Sequence, residues 1–326
     1  MAENREKLLL LDTASLYFRA FYGVPDSLRA PDGTPVNAVR GLLDMVATLV
    51  TEHRPTRLVA CWDDDWRPAF RVAAIGSYKA HRVRVDDGSA HPAPTHGAGS
   101  ASVEEVPDAL VPQVPVIVEV LAALGVARVG CPGYEADDVI GTLVAREADG
   151  ARSPVDVVTG DRDLFQLVDD DARVRVLYTS RGIRNLDVVD EARLAERYGV
   201  ASGRAYADMA TLRGDPSDGL PGVPGIGEKT AAALLARHGD LAGLLAARDD
   251  PADRTLTATQ RRRLVEAADY LEAAPVVVTV APDAPLGDVA DALPSAPADP
   301  AALGSLAERW GLGSSVQRVL TALATD

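Results

Sequence analysis

Short apolar runs that end in an aspartate recur along this chain, and they constrain its fold more than any other feature. Each run suits a buried strand, and helical patterns separate one run from the next. Three of these runs, with the acid that follows each, are Lys7–Leu11 with Asp12, Arg57–Trp62 with Asp63, and Pro154–Thr159 with Asp161. Shorter strands are predicted at Val126–Val129 and Arg173–Leu177. Strands that alternate with helices favour an α/β fold with a mainly parallel sheet, covered by helices on both faces.

The order of these patterns predicts two domains. Residues 1–189 carry the strand and helix alternation and are predicted to form the α/β domain. Helices are expected there at Ser15–Tyr22, Asn37–His53, Pro115–Leu124 and Ala136–Ala148. Residues 83–106 stand apart because Gly, Ser, Pro and His dominate them, so we expect a flexible loop.

The second predicted domain, residues 190–326, is mostly helical and is interrupted by glycine-rich turns. Val276–Val280 reads as one last strand because it is a run of β-branched residues. Residues 281–300 are rich in Pro, Ala and Asp and are interpreted as a loose connection. Ala301–Leu323 is expected to form one or two helices that pack on the body of the protein.

Acidic side chains are predicted to meet at one edge of the sheet. In an open parallel sheet, ligands bind outside the carboxyl ends of the strands, and Asp12, Asp63 and Asp161 all follow strand ends. Further acids come from the start of a helix and from turns, namely Glu135, Asp137, Asp138, Asp163, Asp215 and Asp218. Any one of them could instead cap a helix or a turn, but that explanation fits the whole set poorly.

Nine carboxylates in one crevice would repel one another, so several pKa values would rise strongly unless cations lay among them. Two divalent ions about 3.5–4 Å apart provide that neutralisation and are typical of nucleases and phosphatases. Because the ligands would all be oxygen atoms, the pattern favours Mg²⁺ or Mn²⁺ over zinc. The predicted reaction is hydrolysis of a phosphodiester, although other Mg²⁺-dependent phosphotransfer enzymes gather acids in the same way.

A glycine-rich segment at residues 221–230, with the sequence PGVPGIGEKT, precedes a helical run. Gly222, Gly225 and Gly227 would let backbone N–H groups approach an anion closely, and Lys229 would add a positive charge. The segment resembles a helix-hairpin-helix turn, which binds the DNA backbone without reading its sequence. A plain turn between two helices is the alternative.

A third segment, Tyr78-Lys79-Ala80-His81-Arg82, combines an aromatic residue with several basic ones. An aromatic ring beside cations suits stacking on a base and contact with phosphates. A solvated basic helix end would explain the same residues equally well, so this segment supports a nucleic-acid site only together with the other two.

The net charge of −15 argues at first against a nucleic-acid partner. The charge is unevenly distributed, however, because residues 1–85 carry a net charge of +2 and many acids fall in clusters that bound cations would neutralise. No apolar run approaches the roughly 20 residues of a membrane span, and two cysteines fit a reduced cytosol better than a disulfide framework. We therefore expect a cytoplasmic protein associated with the nucleoid rather than a membrane.

Together these segments resemble the bacterial 5′-3′ exonuclease and flap endonuclease family, which includes the N-terminal nuclease domain of DNA polymerase I. The most specific pieces are YEADDVIGTL at 134–143, TGDRDLFQLV at 159–168 and GVPGIGEKTA at 222–231. Supporting pieces are SLYFRAFY at 15–22 and SYKAHR at 77–82, and the resemblance covers most of the chain. It implies a PIN-like α/β nuclease domain, joined to a helix-three-turn-helix element at about residues 205–240.

The resemblance also implies roles for individual residues. It implies a first metal cluster of Asp12, Asp63, Glu135, Asp137 and Asp138, and a second one of Asp161, Asp163, Asp215 and Asp218. It implies that Lys79 and Arg82 contact the scissile phosphate and that Tyr78 stacks near an unpaired terminal base. The amides of Gly222, Gly225 and Gly227 would face the duplex backbone, with Lys229 beside them and a K⁺ ion at the same element.

What the resemblance implies about function is a structure-specific 5′-nuclease of DNA replication and repair. Its partners would be DNA with 5′ flaps, free 5′ ends or nicks, and RNA primers on DNA, and it would act as a monomer. No polymerase domain is present in the sequence, so the chain is similar to a free-standing member. Residues 83–106 occupy the place of the family's helical arch, but they are longer and less basic than the usual segment.

Two other functions remain open from the sequence. A PIN-type ribonuclease would gather the same acids, but it would not need the 222–231 segment. A DNA-structure-binding protein without catalysis would keep that segment, but it would be expected to lack one or more of the nine acids. All nine are present, which favours hydrolysis.

Overall fold

The computed structural model describes residues 6–83, 106–151 and 153–324. Within them, six strands form one sheet in the order β3-β2-β1-β4-β5-β6, in which only β6 is antiparallel to its neighbour. The strands are β1 (Leu8–Asp12), β2 (Arg57–Cys61), β3 (Ala127–Val129), β4 (Val155–Thr159), β5 (Val174–Tyr178) and β6 (Asp187–Val189). The predicted mainly parallel sheet is therefore confirmed, and β6 is the strand that the sequence patterns did not predict.

Both faces of the sheet are buried, which explains why its central strands are continuously apolar. In β1, Leu8 and Leu10 point into one hydrophobic core, whereas Leu9 and Leu11 point into a second core on the other face. This alternation follows from the two-residue period of a strand.

Helices cover the two faces of the sheet. The helices are α1 (Thr13–Gly23), α2 (Asn37–His53), α3 (Ala69–Ala74), α4 (Gln113–Leu124), α5 (Ala136–Asp149), α6 (Glu191–Tyr198), α7 (Gly203–Arg213), α8 (Glu228–His238), α9 (Leu241–Asp249), α10 (Ala258–Glu266), α11 (Ala268–Val278), α12 (Pro300–Arg309) and α13 (Gly313–Leu323). Residues of α1, α2, α4, α12 and α13 share one core, and residues of α5 to α11 share the other. The predicted helices at 15–22, 37–53, 115–124 and 136–148 all correspond to helices of the structure.

The prediction of a strand at Val276–Val280 is wrong, because this run is the end of α11 and the turn after it. The buried residues of α11 are Leu271, Ala274 and Val277, at the three-residue spacing of a helix face. This spacing decides the conformation, and it overrides the β-propensity of the valines that suggested a strand.

Residues 281–300 form an irregular connection, as predicted, but one part of it is fixed beside the sheet. The N–H of Leu58 donates to the carbonyl of Asp291 at 2.8 Å, and the N–H of Leu293 donates to the carbonyl of Thr56 at 2.9 Å. Strand β3 pairs with β2 only from Val59 onward, so the start of β2 is open to this segment. The two helices that follow, α12 and α13, pack on the body of the protein as predicted.

The predicted flexible loop at 83–106 lies almost entirely outside the described residues. None of the helices that the structure describes is both long and apolar enough to span a membrane.

Candidate active site

The carboxyl ends of the central strands deliver acids to one crevice. Asp12 ends β1 and caps α1 by accepting the N–H of Ser15 at 3.2 Å, while its other oxygen accepts the Thr159 hydroxyl at 2.6 Å. Asp63 follows β2 and accepts the N–H of Ala136 at 2.8 Å. A cavity of about 260 Å³ opens here. Seven of the predicted site residues line it, namely Asp12, Asp63, Lys79, Arg82, Glu135, Asp137 and Asp161.

The start of α5 supplies three acids, which face two different ways. Glu135 is the N-cap and Asp138 accepts its N–H in return, so the two form a capping box. Asp137, between them, turns towards the cavity instead. Asp138 is 0% exposed, and its oxygens also accept the N–H of Ala281 and two N–H groups of Arg71. Asp138 is thus in a different position from the other predicted ligands, behind the crevice and fully hydrogen-bonded.

Arg71 holds this helix start from within the protein and was not singled out from the sequence. Its guanidinium is 2% exposed and contacts Glu135 at 2.8 Å and Asp138 at 2.6 Å. It also donates to the carbonyl of Val277 at 3.1 Å, which ties α11 to the acids. The only sequence signal was an arginine inside the apolar run AFRVAA, at a position that α3 buries.

Tyr78 and Lys79 both bind Glu135. The Tyr78 hydroxyl donates to the carboxylate at 2.8 Å and the Lys79 ammonium donates at 2.7 Å. Burial opposes the charged form of Lys79, but Glu135, followed by Tyr78, raises the pKa of Lys79 well above its usual value. Tyr78 is only 3% exposed, and its ring packs against Leu220.

A second group of acids lies beside the first, on the turns after β4 and α7. Burial raises the pKa of Asp163 to about 8, and the nearby charges of Asp161, Asp218 and Asp215 add to that rise. Arg82 joins this group to the cavity because its guanidinium contacts Asp218 at 2.6 Å. The N–H of Asp161 donates to the same Thr159 hydroxyl that binds Asp12, so one buried threonine touches both groups.

The first group also carries excess negative charge. Burial raises the pKa of Asp12 to about 7, with further contributions from Asp63 and Asp161. Burial, then Asp12 and Asp161, raises the pKa of Asp137 well above its usual value. Among the described residues, no three His, Cys, Asp or Glu side chains already converge as a group that could hold a metal ion. The acids share a crevice and repel one another. Lys79 contacts one of them, Glu135, and Arg82 contacts another, Asp218.

The glycine-rich segment forms the turn between α7 and α8. Gly222 and Gly225 have φ of +65° and +77°, a conformation that glycine adopts without strain. A Cβ on Gly222 would overlap the backbone of Arg213, so this turn packs tightly against the end of α7. Gly227 caps α8, and both it and Lys229 are exposed to solvent.

The sheet, the crowded carboxylates at its edge and the helical hairpin beside them define a class of protein, an α/β nuclease domain followed by a helical domain. A family model for the 5′-3′ exonuclease N-terminal resolvase-like domain matches residues 7–199. A second model, for the 5′-3′ exonuclease C-terminal SAM fold, matches residues 201–301. The chain belongs to the 5′-3′ exonuclease family, whose members are nucleases, and the predicted resemblance is confirmed.

Individual relatives agree with this assignment. The chain is 65% identical to a 5′-3′ exonuclease of Streptomyces coelicolor, over 97% of this chain and 99% of the relative. It is 41% identical to DNA polymerase I of Mycobacterium bovis, over 75% of this chain but 24% of that protein. Its fold is similar to that of the bacteriophage T5 flap endonuclease solved with DNA and metal ions. That match has a TM-score of 0.61 and 15% identity, and it covers 98% of this chain and all of the phage protein.

Proposed function

We propose that this protein is a divalent-metal-dependent, structure-specific 5′-nuclease that cleaves DNA with 5′ flaps, free 5′ ends or nicks. The observation that carries the proposal is the set of buried and half-buried carboxylates with raised pKa values at one sheet edge. Such groups are unfavourable in a protein that has no cation to place among them. The roles in DNA replication and repair, and a cytoplasmic location near the nucleoid, are part of the same proposal.

The donor chemistry of the crevice fits Mg²⁺ or Mn²⁺, because every candidate ligand is a carboxylate oxygen. The residues proposed to hold the ions are Asp12, Asp63, Glu135 and Asp137 in one group, and Asp161, Asp163, Asp215 and Asp218 in the other. When bound, such ions activate water and stabilise the charge that develops on the phosphate oxygens. Asp138 is proposed to hold Arg71 and the α5 start in place rather than to contact an ion, because it is 0% exposed and, unlike Glu135, does not line the cavity.

Lys79 and Arg82 are the cations best placed to bind the phosphate that is cleaved. Both line the cavity, and each contacts an acid from a different group. The N–H of Lys79 donates to the carbonyl of Asp218 at 3.0 Å, so the lysine is fixed between the two groups. A phosphodiester that enters the crevice would exchange some of these ion pairs for contacts with its own oxygens. Tyr78 is proposed to orient Glu135 for that exchange.

The duplex next to the cleaved bond is proposed to lie on the α7–α8 hairpin. Gly222 is buried in the turn, but Gly225, Gly227 and Lys229 are exposed. They offer backbone N–H groups and a positive charge, which suit a phosphate backbone of any sequence. A K⁺ ion at this turn belongs to the proposal as well, and its test is whether binding is stronger in K⁺ than in Na⁺. The T5 protein, of similar fold, was solved with DNA and metal ions, which supports both partners.

The decisive experiment measures cleavage of a 5′-labelled flap duplex in Mg²⁺, in Mn²⁺ and in a chelator. Asp163→Asn and Asp137→Asn should lower the rate by on the order of 10³-fold, because each removes a ligand charge that offsets several kcal/mol of the barrier. Asp269→Asn is the matched control, since Asp269 is an exposed acid on α11.

The outcomes of that assay distinguish the proposed nuclease from its alternatives. Equal rates for all four proteins, or full cleavage in the chelator, would overturn the metal-site proposal. Cleavage of single-stranded RNA without cleavage of the flap would favour a ribonuclease instead. A flap whose 5′ segment is RNA tests the proposed action on primers in the same assay.

A further inference from the structure

Three consecutive arginines at the middle of α10, Arg261 to Arg263, have three different environments. Arg261 caps the end of α9 by donating to the backbone carbonyls of Ala247 and Asp250. Arg262 is 66% exposed and lies 3.9 Å from Glu266, one helical turn away. Arg263 instead reaches out of its helix to the glycine-rich turn. Of these three arginines, Arg263 is thus the one that contacts the glycine-rich turn.

Arg263 is built into the hairpin turn although it lies 38 residues away in sequence. Its guanidinium donates to the carbonyl of Gly225 at 3.0 Å. A Cβ on Gly225 would overlap the same guanidinium, so the absence of a side chain at 225 is what admits the arginine. Gly225 also has a φ of +77°, so two independent reasons favour glycine there.

Two cations at this surface have no acidic partner within the described ranges. Other arginines of the chain form ion pairs, as Arg82, Arg175 and Arg193 do. In the parts of the chain that the structure describes, no carboxylate lies within 4 Å of the charged atoms of Arg263 or Lys229. Two cations beside this turn, Lys229 on α8 and Arg263 on α10, therefore carry charge that no carboxylate of the described residues neutralises.

The contact with Gly225 has a chemical consequence for anion binding. A backbone carbonyl that faces a phosphate repels it, whereas an N–H group attracts it. Arg263 covers one such carbonyl with a single N–H, and a guanidinium has five N–H donors in all. The remaining donors are free to bind phosphate oxygens in the fork geometry that arginine provides.

We propose that Arg263 is part of the duplex-binding surface and binds a backbone phosphate together with the hairpin turn. The proposal rests on the proposed function, because it assumes that the hairpin contacts DNA. It extends that surface from α8 to α10, and it assigns to Arg263 both a positioning role at Gly225 and a direct phosphate contact.

The test is the binding of the full-length chain to a blunt 20-base-pair DNA duplex, measured by fluorescence anisotropy at several salt concentrations. Arg263→Ala should weaken binding roughly three- to tenfold at low salt, and it should reduce the slope of log Kd against log salt by about 1. Arg262→Ala is the matched control because it removes the same charge from the neighbouring position. It should change binding less than twofold and leave the slope unchanged.

Arg263→Lys separates the two roles of the side chain. It keeps the charge but loses the fork, so it should restore most of the salt slope while binding stays weaker than in the wild type. A thermal melt of each variant reports whether the hairpin has merely been loosened. Equal effects of Arg262→Ala and Arg263→Ala would overturn the proposal, and so would weaker binding by Arg263→Ala with an unchanged slope.

Lys229→Ala distinguishes this inference from the proposed function. If Lys229→Ala weakens duplex binding and reduces the slope while Arg263→Ala does neither, the hairpin binds DNA and only the role of Arg263 is wrong. If both variants bind as the wild type does and the wild type does not cleave the flap duplex, the proposed function fails first.

Discussion

Aspartates at the two ends of the central sheet have opposite electrostatic environments, which shift their pKa values in opposite directions. At the end where strands begin, Asp156 in β4 is 1% exposed and contacts Lys7 and Arg175 at 2.6 Å each. Burial alone would raise its pKa, but hydrogen bonds from His53, Arg175 and Lys7 outweigh burial and hold the pKa of Asp156 far below its usual value. Every oxygen of this carboxylate is matched by a cation of the chain.

At the end where strands finish, the same residue type is left under-compensated. Asp12 and Asp163 have pKa values raised to about 7 and about 8, and their nearest charged neighbours are mostly other acids. A fold selected for stability alone could have placed arginines here, as it did around Asp156. The difference teaches that the carboxyl end of the sheet is arranged for a ligand that the chain does not itself supply.

The largest expected effect on stability comes from removing the ion-paired Asp156. Asp156→Ala should lower the free energy of unfolding by about 3 kcal/mol, because it leaves Lys7 without its partner in a largely buried site. Denaturant unfolding measures this loss. The cleavage rate per folded molecule should stay within about twofold of the wild type, because Asp156 lies at the opposite end of β4 from the crevice.

Asp137→Asn is the matched change at the carboxyl end of the sheet. In contrast to Asp156→Ala, it should affect cleavage rather than stability. It removes one of several repelling charges, so the free energy of unfolding in a chelator should stay the same or rise. The cleavage rate should fall on the order of 10³-fold, as proposed above. A loss of stability as large as that of Asp156→Ala would mean that the two ends do not differ in the way described here.

A medium effect is expected from pH. In the unfolded chain Asp12 and Asp163 lose their protons near pH 4, whereas in the folded chain they keep them until about pH 7 and about pH 8. Between those limits the folded state binds more protons, so its stability falls as pH rises. In a chelator, Tm should therefore drop by several degrees between pH 5.5 and 8.

Divalent ions should reverse that trend, because they bind the deprotonated carboxylates. The gain in Tm on adding Mg²⁺ should be larger at pH 8 than at pH 6, and Asp163→Asn should reduce both the pH dependence and the gain. If Mg²⁺ stabilised the protein equally at both pH values, the raised pKa values would not be linked to the ion site.

Much of the fold followed from sequence, because the strands of a doubly covered sheet are almost wholly apolar and end in turn residues. Strand β6 was missed because three residues at an antiparallel edge carry too little pattern, and 276–280 was misread because valines fit either conformation. The meeting of Asp12 with Asp161 was predictable, since parallel strands bring their carboxyl ends together. Only tertiary packing could decide that Asp137 faces the crevice while Asp138, its neighbour in sequence, faces Arg71.

The smallest effect we predict concerns Thr159, which is fully buried and joins the two acid groups. Its hydroxyl donates to Asp12 at 2.6 Å and lowers the pKa of that carboxyl, while it accepts the N–H of Asp161 at 2.8 Å. Thr159→Val should remove that contribution, so the pKa of Asp12 should rise further. The acidic limb of the pH–rate profile for flap cleavage should then move to higher pH, at a stability cost of about 1 kcal/mol. Thr159→Ser keeps the hydroxyl and should restore the profile; a profile that moved equally in both variants would instead implicate the lost methyl group and the packing beneath the crevice.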